Sequence, residues 1–204
     1  MDKLADKVVE TMRDAGLVEV EVSAKHVHLS TAHIEALFGA GAVLHEKRDL
    51  SQPGQYLSEE RVNLIGPKGK ISNVAVLGPA RKDTQVELSQ TDARTLGVKA
   101  PIAESGKLDG AATITIEGPC GSVEAPSSVI IAHNHVHVPV DVAKKLNLEN
   151  GEHVNVQVLS DRPLTFNDVI IRVSDKFRFR MHIDFDEANA AGVNGFTLGK
   201  ILKK

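Results

Sequence analysis

Two short patterns in the chain have the makings of metal chemistry: His26-Val27-His28 and His135-Val136-His137. Side chains alternate faces along an extended strand, so both rings of a His-x-His point the same way. Two imidazoles at that spacing can hold one metal ion. A third N or O ligand then makes an open site, with positions left for water or substrate. A single His-x-His is weak evidence, because one ring is commonly structural and the other exposed. Here the pattern occurs twice, and each copy has a further candidate downstream. Val86-Glu87-Leu88, followed by Asp92-Ala93 and Gly97-Val98, aligns with Met181-His182-Ile183, followed by Glu187-Ala188 and Gly192-Val193, at identical offsets. The first set is therefore His26, His28 and Glu87, and the second is His135, His137 and His182. Both suit zinc, with other divalent ions as alternatives. The histidines outside these sets, His33, His45, His133 and His153, read as ordinary surface or core residues.

Arg81 is a second kind of candidate. It follows the Gly78-Pro79 turn and precedes Glu87 by a few residues, so a guanidinium fork is delivered near a metal ligand, where it suits an oxyanion such as phosphate. Cys120, the one cysteine, lies in a Gly118-Pro119-Cys120-Gly121 turn with no base legible beside it, and reads as structural or incidental.

These residues must be held by strands. Val18 to Val22 alternates as a half-buried strand. Arg61 to Ile65 and Ser72 to Leu77 flank a Gly66-Pro67-Lys68-Gly69 turn and read as a hairpin. Ala112 to Glu117, Ser127 to Ala132, Val154 to Leu159 and Val169 to Val173 are further strands. Short helices fit Ser30 to Phe38, Thr91 to Leu96, Pro139 to Leu146 and Asp186 to Ala191. Residues 2 to 15 read as an amphipathic helix with Leu4, Val8 and Met12 on one face, ended by Gly16. Many short strands with turns between them suggest small barrels or sandwiches. The internal repeat points to two related barrels.

The bulk properties narrow the function class. A chain of 204 residues with net charge -3 and both signs interspersed lacks the basic stripe of a nucleic-acid protein. No apolar run reaches the length needed to span a bilayer, and the opening residues, with Asp2, Asp6 and Glu10 among the apolar ones, are not expected to act as a secretory leader. One cysteine suits a reducing compartment, so a bacterial-type cytoplasm is the expected location.

Several longer motifs run through the chain in order. They include Ser23-Ala24-Lys25-His26-Val27-His28-Leu29-Ser30, Gln52-Pro53-Gly54-Gln55-Tyr56, Asn63-Leu64-Ile65-Gly66-Pro67-Lys68-Gly69, Leu77-Gly78-Pro79, Gln85-Val86-Glu87, Thr91-Asp92-Ala93-Arg94 and Met181-His182-Ile183-Asp184. From about Val18 onward the chain resembles the phosphate propanoyltransferase family, phosphotransacylases associated with bacterial microcompartments. The resemblance implies a mainly β fold, two β-barrels capped by short α-helices, with a dinuclear zinc site between them. With the N-terminal helix set apart as 1–17, it implies one barrel from 18–24 plus 133–204 with the first strand swapped in, and the other from 25–132. It assigns one zinc to His26, His28 and Glu87, the other to His135, His137 and His182, and phosphate to Arg81. Coenzyme A contacts fall at Val22, Ser23, Ala24, Lys68, the position of Ala75, and Asn189. At Ala75 the chain departs from the arginine of the family pattern, so a side-chain contact there would pass to a neighbour.

The implied reaction is acyl-CoA plus phosphate giving acyl phosphate plus CoA, with propanoyl or acetyl as the acyl group. The expected partners are acyl-CoA, CoA, inorganic phosphate and further copies of the chain in a homo-oligomer such as a dimer, with microcompartment shell or lumen proteins reached through the N-terminal helix. Two rival readings use the same ligands. A dinuclear zinc hydrolase, a thioesterase or phosphatase, would activate water. A zinc scaffold protein would use the histidines structurally, but structural sites are usually closed four-ligand sets rich in Cys.

Overall fold

A computed structural model of the chain describes residues 3–203. Helix α1 is Lys3–Asp14; its expected start at Asp2 lies outside the described residues. In chain order there follow β1 (Leu17–Val22), β2 (His26–His28), α2 (Thr31–Phe38), β3 (Glu46–Asp49), β4 (Tyr56–Ile65), β5 (Lys70–Gly78) and β6 (Gln85–Glu87). Then come α3 (Gln90–Leu96), β7 (Ile102–Ala103), β8 (Ala112–Glu117), β9 (Ser122–Ala132) and β10 (His135–Val138). The rest is α4 (Val140–Leu146), β11 (His153–Leu159), β12 (Leu164–Val173), β13 (Arg180–Ile183), α5 (Phe185–Ala190) and β14 (Thr197–Leu202). No helix among the described residues is long and apolar enough to cross a membrane.

The chain divides into two compact units. One holds the described residues up to Ser23 together with those from Asn134 onward; the other runs from Ala24 to His133. In the first unit, six strands close a barrel in the order β1-β13-β10-β12-β11-β14. In the second, β4, β5, β2, β6, β9 and β8 pair in turn, and β8 returns to β4, so a second six-stranded ring closes. β3 and β7 lie outside that ring, paired to β4 and β9. Closure removes the open edges of the ring strands, which would otherwise invite pairing with other chains.

The two rings match strand for strand. β2 is parallel to β5 and antiparallel to β6; β10 is parallel to β12 and antiparallel to β13. β6 is parallel to β9, and β13 is parallel to β1. β1 therefore fills in its barrel the place that β9 fills in the other. Each His-x-His strand is preceded in the chain by a strand that belongs to the opposite unit. Even a backbone irregularity is repeated: Asn73 on β5 and Asp168 on β12 both have left-handed φ, 60° and 67°.

Alternation explains why each ring has its own core. Inward residues such as Val62, Leu64, Val74, Val76 and Ile116 pack one interior, and Val136, Val154, Val156, Ile171 and Met181 pack the other. The helices plug the barrels with short apolar faces: Ile34 and Leu37 of α2, Ala93 and Leu96 of α3, Val142 and Ala143 of α4, and Ala188 of α5. Their starts are written locally. Ser30 caps α2 by accepting from the His33 N–H, Ser89 caps α3, and Asp184 with Glu187 forms a reciprocal capping box on α5. Gly97 after α3 and Gly192 after α5 turn the chain with left-handed φ of 77° and 60°, which glycine adopts without steric cost.

Candidate metal centres

β2 carries His26 and His28, and β6 runs antiparallel beside it with Glu87 directly opposite His26. Both histidines are buried. His26 Nε2 lies 3.5 Å from Glu87 Oε2, and His28 Nε2 lies 3.8 Å from Glu87 Oε1. One ligand atom from each residue can be chosen so that all three lie within 4.8 Å of one another, close enough to hold a metal ion. His26 Nδ1 is 2.8 Å from the Ala24 carbonyl. With its proton donated there, Nε2 keeps its lone pair toward the cluster, the arrangement seen around metal-bound imidazoles.

The electrostatics of this cluster fit a cation. Burial works against protonation of His26, but the Glu87 carboxylate and the Ala24 carbonyl outweigh it and raise its pKa. Burial pushes His28 well below the ordinary imidazole value, and the charges of His26 and Arg81 push in the same direction. Burial alone would raise Glu87, yet the two histidines and a hydrogen bond from Ser105 hold its carboxyl well below the usual carboxylate range. The result is a half-buried carboxylate beside a neutral imidazole and one that titrates. A divalent ion suits that donor set, because metal ligands must be deprotonated.

Zinc uptake should therefore displace a proton from His26. The expected outcome is affinity that rises with pH through the raised His26 pKa, above the ordinary value of about 6.5, and levels off beyond it. Chelator-competition titrations across that range check this; a flat profile speaks against the assignment.

Two neighbours fix Glu87. Ser105 Oγ donates to Glu87 Oε1 at 3.0 Å, and Gln85 Nε2 donates to the same oxygen at 2.5 Å. Gln85 Nε2 also reaches Ser105 Oγ at 2.8 Å, and the Gly106 N–H donates to Gln85 Oε1 at 2.8 Å. Arg81 Nη1 lies 3.4 Å from the same Ser105 Oγ. Ser105 thus joins the guanidinium to the carboxylate. Sequence reading singled out neither residue. Gln85 had a signal, since it stands two positions before Glu87 on one strand and so shares its face. Ser105, in the loop after β7, had none. The Arg81 backbone is tied in by its N–H to the Leu29 carbonyl at 2.9 Å, directly beyond β2.

The other unit repeats the plan. His135 and His137 lie on β10, and His182 on β13 stands directly opposite His135, as Glu87 stands opposite His26. The ring centroids are 4.7 Å apart for His135–His137, 5.3 Å for His135–His182 and 4.8 Å for His137–His182. Phe177 stacks on the His137 ring with centroids 4.0 Å apart.

The residues expected to contact coenzyme A divide between the units. Val22 on β1 pairs with Ile183, next to His182, and the Ser23 N–H donates to the Ile183 carbonyl at 2.8 Å. Asn189 is exposed on α5. In the other unit Ala24 is exposed one residue before Lys25, and Lys68 is exposed in the β4–β5 turn. Ala75 is paired with His26 on one side and Arg61 on the other, so an arginine does stand beside that position. Cys120 is exposed in its turn. Of the remaining histidines, His45 is ion-paired with Glu60 at 2.6 Å and His33 is hydrogen-bonded to Thr84 at 2.8 Å.

The phosphate propanoyltransferase family model matches residues 19–194, which takes in both ligand sets. The chain belongs to the phosphate propanoyltransferase family. Among its relatives is the phosphate propanoyltransferase of Clostridioides difficile (strain 630), 48% identical over 204 residues, covering 100% of this chain and 98% of that one. That of Leptotrichia buccalis is 52% identical, covering 90% and 87%. That of Thermotoga maritima is 47% identical, covering 92% and 90%. Membership of this family favours the transferase over the hydrolase and scaffold readings.

Proposed function

We propose that the chain transfers a short acyl group, propanoyl or acetyl, between coenzyme A and inorganic phosphate, with one zinc ion on each ligand set. The observation that carries the metal reading is the repeated register: in both barrels the first histidine of the pair faces the third ligand across an antiparallel strand pair. Each set has three N or O donors and no Cys, which suits an open catalytic ion.

When bound, zinc supplies Lewis-acid stabilisation of phosphate oxygens and of the leaving thiolate. Arg81 holds phosphate in an attacking pose and offsets its charge, so that two anions can meet. A phosphate oxygen bonds to the thioester carbonyl carbon, the carbon–sulfur bond breaks, and the thiolate leaves as CoA. No acyl-enzyme is required. Gln85 and Ser105 hold Oε1 of Glu87, which keeps Oε2 facing His26. Val22, Ser23, Ala24, Lys68 and Asn189 contact the coenzyme, and Arg61 supplies the charge that Ala75 lacks. In this reading the protein works in the cytoplasm as a homo-oligomer, and α1, none of whose residues is buried, is the segment available for packaging into a microcompartment.

Product analysis tests the reaction. Incubation with propanoyl-CoA or acetyl-CoA should release CoA only when phosphate is present and should yield acyl phosphate in equal amount. The purified chain should carry about two zinc ions. CoA release without phosphate would return the hydrolase reading, and protein never exposed to chelator that holds no metal would end the zinc reading.

A further inference from the structure

The residue just before each ligand strand makes the same long-range contact in both barrels. Lys25 precedes His26, and its Nζ donates to Asp92 Oδ1 at 3.0 Å. Asn134 precedes His135, and its Nδ2 donates to Glu187 Oε1 at 2.6 Å. Asp92 and Glu187 are the third residues of α3 and α5, the helices that directly follow the strands bearing Glu87 and His182. Both carboxylates are themselves anchored at the helix starts. The Asp92 N–H donates to Ser89 Oγ at 3.2 Å, and Ser89 Oγ in turn approaches Asp92 Oδ2 at 3.3 Å. Glu187 Oε2 accepts from the Asp184 N–H at 2.9 Å. The donor is an ammonium in one barrel and an amide in the other, yet the bridge is kept. What the two contacts share is the pair of elements they join: the entry to the His-x-His strand and the exit from the third ligand's strand.

The Lys25 bridge has a direct line to a ligand atom. Ala24, its neighbour, accepts from His26 Nδ1 at 2.8 Å, and that bond sets which way Nε2 points. The bridge itself is sheltered, with the Asp92 side chain 15% exposed, so it is less screened than a surface pair.

We propose that Lys25 and Asn134 are positioning residues for the two metal-ligand sets, each clamping the His-x-His strand to the helix that follows the third ligand. The inference rests on the metal reading above, and the experiment separates the two. Zinc affinity is measured by competition with a chromophoric chelator, on intact protein, for Lys25→Met, Asp92→Asn, the double variant and Lys25→Arg, with His26→Ala alongside. Melting of the chelated, metal-free form is followed for each.

Lys25→Met and Asp92→Asn should each weaken one of the two zinc ions by about tenfold, the lower end of the range for outer-shell partners. The double variant should be no worse than either single one, because both remove the same contact. Lys25→Arg should restore most of the affinity. Asn134→Asp, which sets a like charge against Glu187, should weaken the other zinc. If Lys25→Met does not fold, Asp92→Asn and Lys25→Arg carry the comparison. Unchanged zinc affinity with a lowered melting temperature would make the bridge a plain stabilising contact and overturn the proposal. Should His26→Ala keep both zinc ions at full affinity, the metal reading fails and this inference goes with it.

Discussion

Glu87→His should keep about two zinc ions per chain while acyl transfer falls on the order of a hundredfold, the scale on which single preorganised electrostatic contacts act. Two observations lead there. Glu87 and His182 occupy the same register position, each opposite the first histidine of its pair, so an imidazole at 87 starts from a backbone place where the other barrel already uses one. Zinc content should survive for that reason. The chemistry should not, because the cluster loses its one anion and becomes a full charge more positive, which alters how phosphate and thiolate are held. The substitution also strips Gln85 and Ser105 of the oxygen to which both donate, and one imidazole nitrogen cannot replace it for both. Glu87→Ala, with no donor at all, should lose one zinc. Metal analysis and initial rates read the two effects separately. Full activity in Glu87→His would refute the charge argument, and wild-type zinc affinity in Glu87→Ala would remove Glu87 from the ligand set.

Arg81→Ala should lower kcat/KM for phosphate about ten- to a hundredfold, as expected for losing a charge-assisted contact worth roughly 1.5–3 kcal/mol. KM for CoA and acyl-CoA should move much less. The guanidinium is placed for this role. Its charge reaches both imidazoles of the first set, and its Nη1 meets the Ser105 hydroxyl that also binds Glu87. Arg81→Lys should recover part of the loss, since an ammonium restores charge without the planar fork. Steady-state kinetics with phosphate varied at saturating acyl-CoA decide the matter; unchanged phosphate kinetics in the alanine variant would take Arg81 out of the reaction.

The ligand candidates were legible because they are written twice. Neither His-x-His would have identified Glu87 or His182, but the matching offsets to Asp92 and Glu187, and to Gly97 and Gly192, did. The structure gives those offsets a cause: strand, helix cap and left-handed turn recur in the same order after each third ligand. Strand limits were less legible where alternation breaks. β4 begins at Tyr56, five residues before the expected Arg61, and its register shifts between Leu57 and Arg61. β9 begins at Ser122, well before Ser127, whose left-handed φ of 45° departs from extended backbone within the strand. β3 went unread because all four of its residues are exposed and charged, so no periodicity marks it. α5 starts one residue early, at Phe185, because Asp184 caps it. The partner of β1 was not legible from local pattern at all. Alternation shows that Val18 to Val22 is half-buried, but not that its neighbours are β13 and β14.

That strand placement governs the order in which the chain can be made into a protein. The unit from Ala24 to His133 is one uninterrupted stretch, so every strand of its ring has been synthesised once β9 is complete. The other ring needs β1, made before all of its other strands, and β14, made after them, and these two are hydrogen-bonded neighbours. During synthesis β1 is therefore without β13 and β14, its two barrel partners, until the whole of the other unit has been made. A waiting strand of this kind is exposed to aggregation and to chaperones. Glu19 and Glu21, alternating with Val18, Val20 and Val22, give it charge on one face through that interval, and afterwards the same two carboxylates meet Arg180 on β13.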